Sequence, residues 1–392
     1  MNRRLRIGLL ATIGHEFMGG VEYIKNIAST LASLPPQVRS TFEICLIHSQ
    51  VSADLYREVH PQVDDVYYLD AAVSTIPGRV RLIIAYILST NYSPQLDNLL
   101  KKAKIDFAFP CSAGRIPTPS YRSAAWVYDC QHKYLTQFFS EQEMRARDRE
   151  FQAIAKYASV VAFNSRNTEA DFNMFFPNGK YEARILYPRV CPLPEWYEVD
   201  PINTQQHYHL PDRFFFINNQ FWQHKNHRVV FEALKILREQ GIEPVVVCTG
   251  RMYDYRSPRF LDETLQTINR LGIAHQVYLL GIVPRLEMIS LLRRSIAIVH
   301  PSLFEGWSTV VEEARCLGKT IILSDIPIHR EQDPPYGVFF DQNSAERLSS
   351  VLAEYWRNLK PGPDTAREAT ARKANLEEVQ AYGYRFLDMA KG

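Results

Sequence analysis

Short apolar runs alternate with amphipathic stretches along most of this chain. The runs are rich in β-branched and aromatic residues, as in Phe214–Asn218, whereas stretches such as Val21–Leu34 repeat apolar residues on one helical face. Strands that alternate with helices in this way are typical of parallel sheets covered by helices. The pattern therefore predicts an α/β fold.

The predicted strands fall into two consecutive sets. The first set lies near Leu5–Thr12, Phe42–Ser49, Phe107–Cys111, Ala124–Asp129, Ser159–Asn164 and Arg184–Tyr187. The second set lies near Phe214–Asn218, Pro244–Thr249, Gln276–Leu280, Ile296–His300, Thr320–Ser324 and Val338–Phe340. We therefore expect two doubly wound parallel sheets in tandem.

The length of the chain also favours two domains. A chain of 392 residues is too long for one typical core and suits two domains of roughly 150 to 200 residues. The proline-rich stretch Cys191–Pro211 has few apolar residues in periodic order, which is typical of a linker. We expect an N-terminal domain over residues 1–190, a linker over 191–212, a C-terminal domain over 213–362 and a helical segment over 363–392.

Composition and charge exclude several classes of protein. The chain is 46% hydrophobic and 22% charged, as in ordinary globular enzymes. A net charge of +2 without a concentrated basic face argues against a nucleic-acid binder. The six cysteines form no CxxC pair, so we expect neither a zinc site nor a disulfide framework, and a reducing cytoplasm fits.

Two stretches of the sequence have features found in segments that contact membranes. The basic first residues and the apolar run Ile7–Gly14 mimic a signal peptide, but the run is short and leads into a helix, which favours a buried first strand. No run reaches the roughly 20 apolar residues that span a bilayer. The stretch Arg79–Leu88 is basic and then apolar, which predicts either a peripheral contact with an anionic membrane or a helix that covers the first sheet.

Two glycines, Gly19 and Gly20, follow the first predicted strand. Glycine lets the backbone approach a ligand, and the helix that follows offers free N–H groups and partial positive charge to an anion. A plain tight turn explains the pair as well. The spacing is not the GxGxxG of a nicotinamide-binding unit, which argues against a dehydrogenase.

The segment 299–318 carries a dense polar pattern. Thr309-Val-Val-Glu312 has the form of a capping box, which predicts Thr309 as the N-cap of a helix and Gly318 as its closing residue. Capping explains Glu312 and leaves two carboxylates, Glu305 and Glu313, unassigned. Both would face a ligand that lies across the helix start.

Backbone N–H groups at the same helix start would meet the phosphates of such a ligand. They belong to Trp307, Ser308 and Thr309. In another strand-to-helix loop, Lys225 is placed to neutralise a diphosphate as a point charge. Taken singly, Lys225 is better explained as a surface lysine, and a lone pair of glutamates as a solvated helix start.

In combination, these features resemble glycosyltransferase family 4. Glu305 and Glu313 have its E-x7-E spacing, and His300-Pro-Ser302 precedes them. The loop 219–227 is similar to the family's phosphate loop, and Gly19 with Gly20 opens the first helix as in the family. The likeness implies a GT-B fold, in which two Rossmann-like doubly wound parallel-sheet domains face a central cleft and the last helix returns to the first domain.

The resemblance also implies an activity. It is a retaining transfer of a sugar from a nucleotide-sugar donor to a glycan or lipid-linked acceptor, as in polysaccharide biosynthesis. Lys225 would stabilise the diphosphate leaving group, Glu305 would contact the sugar hydroxyls, and Glu313 would bind the ribose hydroxyls. No cofactor beyond the nucleotide-sugar co-substrate is expected, and the absence of a D-x-D motif fits transfer without a metal.

One position departs from the family pattern. Gln220 stands where many members carry an arginine, so one charge on the diphosphate is missing unless His224 or Arg251 supplies it. The predicted donor-binding residues are Gly19, Gly20, Gln220, Lys225, Gly250, Arg251, Glu305, Gly306, Trp307, Ser308, Thr309 and Glu313.

In the first half, His132 resembles the histidine that the family places beside the transferring sugar. It would act as a catalytic residue by hydrogen-bonding the sugar or diphosphate, and a satisfied structural histidine is the alternative. Asp129 would either fix its tautomer or cap the loop.

Two other functions stay open. An inactive GT-B-like nucleotide-sugar-binding or scaffold subunit is supported by Gln220, and an isomerase or epimerase would use related nucleotide sites. The expected partners are the donor and the acceptor, without nucleic acid. We expect a cytoplasmic protein, with peripheral contact at the inner membrane face as an option.

Overall fold

The computed structural model describes residues 3–13, 17–69, 94–111 and 120–392. The chain divides into two compact units. Unit 1 comprises Met1–Lys133, Glu141–Cys191 and Glu377–Gly392, and unit 2 comprises Tyr134–Ser140 and Pro192–Leu376. The membrane-contact candidate Arg79–Leu88 lies outside the described residues, as do His15 and Glu16 of the first loop.

The described part of unit 1 contains two parallel sheets, one in the order β3-β2-β1-β4-β5 and one in the order β6-β7-β8. The strands are β1 Leu5–Ala11, β2 Phe42–His48, β3 Asp65–Tyr68, β4 Phe107–Phe109, β5 Arg122–Ser123, β6 Ala125–Val127, β7 Val160–Phe163 and β8 Glu182–Ile185. All six strands predicted for this half are present. The two that were not predicted, β3 and β5, are short and only partly buried, so they lack the apolar signal of a core strand.

Helices cover these sheets, the first burying its apolar face against β1 and β2 and two later ones packing against β6 and β7. The helices are α1 Met18–Ala32, α2 Pro36–Arg39, α3 Ala53–Tyr56, α4 Pro94–Lys102, α5 Gln131–Tyr134, α6 Glu141–Tyr157 and α7 Arg166–Phe175. In α1 the buried residues Ile24, Ile27 and Leu31 follow the helical spacing expected from the sequence.

Unit 2 is built on one parallel sheet of six strands, in the order β11-β10-β9-β12-β13-β14. The strands are β9 Phe215–Asn218, β10 Val246–Thr249, β11 Val277–Gly281, β12 Ile298–His300, β13 Ile321–Ser324 and β14 Gly337–Phe340. The strand order reverses between β9 and β12. Loops that leave the carboxyl ends of strands at such a switch point border a crevice where ligands bind.

Each strand of unit 2 is followed by a helix, two further helices precede β9, and the last helix extends into unit 1. The helices are α8 Glu195–Glu198, α9 Pro201–His207, α10 His227–Glu239, α11 Phe260–Leu271, α12 Arg285–Arg294, α13 Thr309–Cys316, α14 Pro327–Gln332, α15 Ala345–Asn358 and α16 Thr365–Lys391. The buried face of α10, with Val230, Leu234 and Leu237, packs into the core beside β9. The predicted α/β class with parallel sheets is therefore confirmed.

The proline-rich segment 191–212 contains regular structure that the sequence did not predict. It forms α8 and α9, which pack on α12, and the hydroxyl of Ser290 donates to Thr204 at 2.8 Å. Pro201 occupies the first turn of α9, where a missing N–H costs nothing because that donor has no partner within the helix. Prolines at a helix start and prolines in a linker look alike in the sequence.

The last helix, α16, contributes to both units. From Glu377 onward it belongs to unit 1, where the ring of Phe386 meets Phe109 edge-on with 5.3 Å between centroids. Arg122 also donates to the carbonyl oxygen of Ala390 at 3.1 Å. None of the described helices combines the length and the apolar character that crossing a bilayer requires.

Candidate functional site

The ends of β9 and β12 bring Lys225 and Glu305 together. After β9 the chain forms a 3-10 turn at Gln223–Lys225, and after β12 it continues into the loop that carries Glu305. The Lys225 Nζ atom donates to Glu305 Oε1 at 2.5 Å, and the two side chains are only 17% and 10% exposed. The backbone N–H of Leu303 donates to the carbonyl oxygen of His224 at 2.8 Å, so the two loops are joined at backbone level as well.

This pairing decides the charge of Glu305. Burial by itself would raise the pKa of the carboxyl, but the ammonium of Lys225 and the hydrogen bond from His300 hold that pKa well below its usual value. Glu305 is therefore an anion at neutral pH. A buried, paired carboxylate of this kind marks a functional site more often than an exposed one does.

His300 connects several parts of the site. Its ring is fully buried at the end of β12. Nδ1 lies 3.1 Å from Asn219 Nδ2, while Nε2 lies 2.8 Å from Ser308 Oγ and 3.3 Å from Glu305 Oε1. Burial lowers the pKa of His300, so the imidazole is neutral at pH 7.

Glu313 is held by two donors from elsewhere in unit 2. Arg285 Nη1 donates to Oε1 at 2.5 Å, and Asn218 Nδ2 donates to Oε2 at 2.8 Å. The carboxylate is 2% exposed. The guanidinium of Arg285 also lies over the ring of Trp196, 4.9 Å from its centroid.

The helix start after Glu305 differs from the prediction. The N-cap of α13 is Ser308, whose Oγ accepts from Val311 N at 3.4 Å, and Thr309 is already helical. Ser308 N donates to Gln332 Oε1 at 3.1 Å, so this N–H is not exposed for a phosphate as predicted. Ser308 and Thr309 are both favoured N-cap residues, and although only Thr309 is followed by a glutamate at the third position, the backbone conformation selects Ser308.

Glu312 also has a different partner from the predicted one. Its Oε1 accepts from Gln332 Nε2 at 2.9 Å, which ties the first turn of α13 to α14. Gly318, by contrast, follows the end of α13 with a φ of +59°, so the predicted closing role is confirmed.

The two residues considered as replacements for the missing arginine differ sharply. Burial, and then the charge of Lys225, lower the pKa of His224 well below its usual value, so His224 is neutral and Arg251 remains as the candidate for the missing charge. Arg251 is exposed just beyond β10. Gly250 precedes it with a φ of +128°, and a Cβ there would lie 2.4 Å from the carbonyl oxygen of Asn219. Glycine is therefore required for this close approach to Asn219 and Gln220.

A further cation, Arg256, contacts the 3-10 turn Gln223–Lys225. Its Nε donates to Asp254 Oδ1 at 3.2 Å, and one Nη donates to His224 Nδ1 at 3.4 Å. Asp254 Oδ2 accepts from the backbone N–H of Gln223 at 3.4 Å. The guanidinium also lies 4.8 Å from the centroid of the Trp222 ring.

In unit 1, the predicted glycines lie inside a helix and not in a turn before it. Gly19 and Gly20 are in the first turn of α1, which begins at Met18. A Cβ on Gly20 would lie 2.7 Å from Ile13 Cδ1 and 2.9 Å from Phe17 Cδ1. The absence of a side chain at residue 20 therefore serves close packing around the helix start.

His132, also in unit 1, lies in α5 with its side chain fully buried. Its Nε2 is 3.0 Å from Asp148 Oδ1, and burial lowers its pKa. Asp129 Oδ1 accepts from the backbone N–H of Gln131 at 3.1 Å, so Asp129 caps the loop and Asp148 is the partner of the imidazole. This geometry fits the structural alternative for His132.

The sequence patterns assigned no individual role to several residues of the site. Asn218, Asn219 and His300 stand at strand ends, a position that signals ligand contact in parallel sheets. Arg285 and Gln332 come from other helices, and no local pattern connects them to Glu313 or Ser308. Within the described ranges, no group of three or more His, Cys, Asp or Glu residues is arranged to hold a metal ion.

Residues 202–372 match the family model of glycosyl transferases group 1. The matched region contains Lys225, Glu305 and Glu313. It also contains the other residues that contact these two carboxylates. No curated protein sequence matches the chain.

Solved structures resemble the chain over nearly its whole length. The HepE protein of Anabaena, in complex with UDP and glucose, is 16% identical, with a TM-score of 0.67 over 99% of this chain and 100% of that one. A glycosyltransferase of Rickettsia africae is 16% identical, with a TM-score of 0.64 over 99% and 98%. Sucrose-phosphate synthase of Thermosynechococcus elongatus is 16% identical, with a TM-score of 0.65 over 99% and 98%.

At such low identity the likeness shows the fold, and it confirms the predicted GT-B class. Together with the family match, it supports a glycosyltransferase.

Proposed function

We propose that this chain is a retaining, metal-independent glycosyltransferase similar to family 4, which transfers a sugar from a nucleotide-sugar donor to a glycan or lipid-linked acceptor. The observation that carries the proposal is the pair of Lys225 and Glu305 at the switch point of the unit 2 sheet. UDP-sugars are the first donors to test, because the HepE structure of similar fold contains UDP and glucose.

Lys225 would act on the leaving group. Transfer breaks the bond between the anomeric carbon and a phosphate oxygen, and negative charge grows on the departing diphosphate. A lysine ammonium has three N–H donors, so Lys225 would donate to this diphosphate while it keeps its contact with Glu305. A cation aimed at charge that develops during the reaction stabilises the transition state more than the bound donor.

Glu305 would hold the sugar. Its Oε1 atom accepts from Lys225 and faces His300, whereas no described residue donates a hydrogen bond to Oε2. An ionised carboxylate accepts hydrogen bonds strongly, so Oε2 is suited to one or two sugar hydroxyls. Such contacts would set the orientation of the anomeric carbon relative to the acceptor.

Glu313 would bind the ribose of the nucleotide. Each carboxylate oxygen has room for about two hydrogen bonds, so a ribose hydroxyl would add to the contacts from Arg285 and Asn218 without displacing them. The second cation for the diphosphate would be Arg251, which lies beside Gln220 in the loop after β10. Arg256 is already committed to Asp254.

The test is a panel of UDP-, GDP- and dTDP-sugars, with binding measured by calorimetry and transfer by product analysis. We expect one nucleotide class to bind, transfer to be unaffected by EDTA, and product NMR to show the donor's anomeric configuration. The proposal would be falsified if no nucleotide sugar bound at all. Binding without hydrolysis or transfer to any acceptor would favour the inactive subunit.

A further inference from the structure

The buried ring of His300 joins two chain segments that meet at the site, the end of β9 and the connection between β12 and α13. Its Nδ1 faces the amide of Asn219, just after β9, while its Nε2 faces both the N-cap hydroxyl of Ser308 and the carboxylate of Glu305. His300 itself is the last residue of β12. One imidazole therefore contacts a strand end, a helix start and the loop carboxylate at the same time.

These contacts allow only one neutral tautomer. The ionised carboxylate of Glu305 can only accept, so the ring must face it with an N–H at Nε2, and Nδ1, which then carries no proton, accepts from Asn219 Nδ2. The proton of the neutral ring is then on Nε2, which donates toward Ser308 Oγ and Glu305 Oε1. With the other tautomer, two donors would face each other at Nδ1 and a lone pair would face the carboxylate at Nε2.

We propose that His300 is a positioning residue that holds Glu305 in place for the donor sugar, and that Asn219 sets this role by fixing the His300 tautomer. The proposal rests on the role of Glu305 in the proposed function. Glu305 depends on this support because Lys225, its other partner, would also serve the diphosphate.

The surroundings of His300 explain why a neutral donor suits this place. The charged groups around it are Lys225, Glu305 and Glu313, and the buried rings of His227 and His329 also influence it. An imidazolium would compete with Lys225 for Glu305 and would lose the hydrogen bond from Asn219. A neutral N–H orients the carboxylate of Glu305, and Lys225 then balances its negative charge.

A nearby histidine provides an internal control. The ring of His329 lies 5.0 Å from that of His300 between centroids, and its Nδ1 is 2.8 Å from the carbonyl oxygen of Ser324. A carbonyl accepts only, so neutral His329 carries its proton on Nδ1. The two adjacent buried rings are therefore expected to be opposite tautomers.

Nitrogen-15 imidazole NMR on the full chain tests the tautomers without any activity. We expect His300 to show a protonated Nε2 and His329 a protonated Nδ1, with assignments from His300→Gln and His329→Gln. Asn219→Asp replaces the donor with an acceptor, so it should protonate Nδ1 of His300 and leave the His329 signals in place. A protonated Nδ1 in wild-type His300, or no change in Asn219→Asp, would refute the assignment.

Binding and kinetics test the positioning role. The amide of His300→Gln reaches the place of Nε2 and can donate to Glu305, whereas that of His300→Asn reaches only the place of Nδ1. We expect His300→Asn to lower kcat about 10- to 100-fold and to abolish the affinity difference between UDP-glucose and UDP, with UDP binding unchanged. His300→Gln should stay within a few-fold of wild type in both measurements.

The outcomes separate three cases. Equal losses in the Gln and Asn variants, or a loss of UDP affinity and of melting temperature in parallel with kcat, would show that His300 only maintains the fold. A wild-type protein that binds no nucleotide sugar would refute the proposed function, and with it the role of His300 toward a sugar. The tautomer assignment is tested independently of this outcome by the NMR experiment.

Discussion

At the scale of single residues, the site consists of two carboxylates, each held by a cation and a neutral donor. Glu305 is held by Lys225 and His300, and Glu313 by Arg285 and Asn218. Both carboxylates are thus oriented before a ligand arrives. Donor binding would therefore require little rearrangement of the protein groups, which is how electrostatic catalysis saves reorganisation energy.

Lys225→Ala is predicted to reduce kcat roughly 100-fold or more, because the departing diphosphate loses the cation aimed at its growing charge. The measurement is steady-state transfer from the donor identified in the panel. Lys235→Ala is the matched control, since Lys235 forms only an exposed ion pair with Glu239 on α10. An unchanged kcat in Lys225→Ala would show that another group neutralises the diphosphate.

Glu313→Ala is predicted to weaken nucleotide binding about 10-fold, because the ribose loses its acceptor. Calorimetry with UDP alone isolates this effect from any sugar contact. Glu239→Ala, on the exposed face of α10, is the control variant. If UDP binds Glu313→Ala as tightly as wild type, Glu313 has no role toward the ribose.

At the scale of elements, the position of Lys225 depends on a turn that is fastened by a neighbouring loop. Asp254 accepts a hydrogen bond from the backbone of Gln223, and Arg256 contacts both Asp254 and His224. The Arg256 and Asp254 side chains are 8% and 2% exposed. Removing one partner of such a buried pair leaves the other charge buried without a counter-ion, which lowers the free energy of unfolding by about 3–5 kcal/mol.

Arg256→Ala is accordingly predicted to lower the melting temperature by about 10 °C, because Asp254 is left buried without its cation. Activity should fall as well, since the 3-10 turn loses its support. Differential scanning calorimetry measures the first effect, with Arg259→Ala, an exposed position in the same loop, as control. A melting temperature equal to that of the control would contradict the fastening role.

At the scale of the whole molecule, unit 2 contains a group of buried histidines that stay neutral. Burial, and then nearby cationic charge, lower the pKa of His227 to about 3, and burial, and then His300, lower that of His329 to about 3. In the unfolded chain both would titrate near the ordinary value of about 6.5. Below that pH the unfolded state binds protons that the native state does not.

The contribution of these two histidines to the free energy of unfolding is therefore fully present above about pH 6.5. It is predicted to be lost as the pH falls from there toward 3. Each of these two histidines contributes a loss of about 2 kcal/mol between pH 7.5 and 5, at about 1.4 kcal/mol per pH unit below its unfolded pKa. Urea unfolding at several pH values measures how steeply the free energy of unfolding changes with pH. His329→Gln should reduce that slope by about 1.4 kcal/mol per pH unit below pH 6.5, whereas a change at the exposed His275 should not.

The order of amino acids was sufficient to predict parallel strands in both halves of the chain and the strand-to-helix connections near Lys225, Glu305 and Glu313, because apolar periodicity records which face of each element is buried. It did not show that the strands of unit 1 form two separate sheets. It did not reveal the edge strand Asp65–Tyr68 or the helices within 191–212, whose local patterns are weak or resemble those of a linker.

The three-dimensional fold was needed to establish which groups hold each carboxylate, that Ser308 and not Thr309 caps the helix, and that His224 is neutral. Arg285 and Asn218 lie 28 and 95 residues from Glu313, and Gln332 lies 24 residues from Ser308. Charge state and hydrogen-bond partners depend on burial and on contacts between distant segments, and neither is written into the local order of residues.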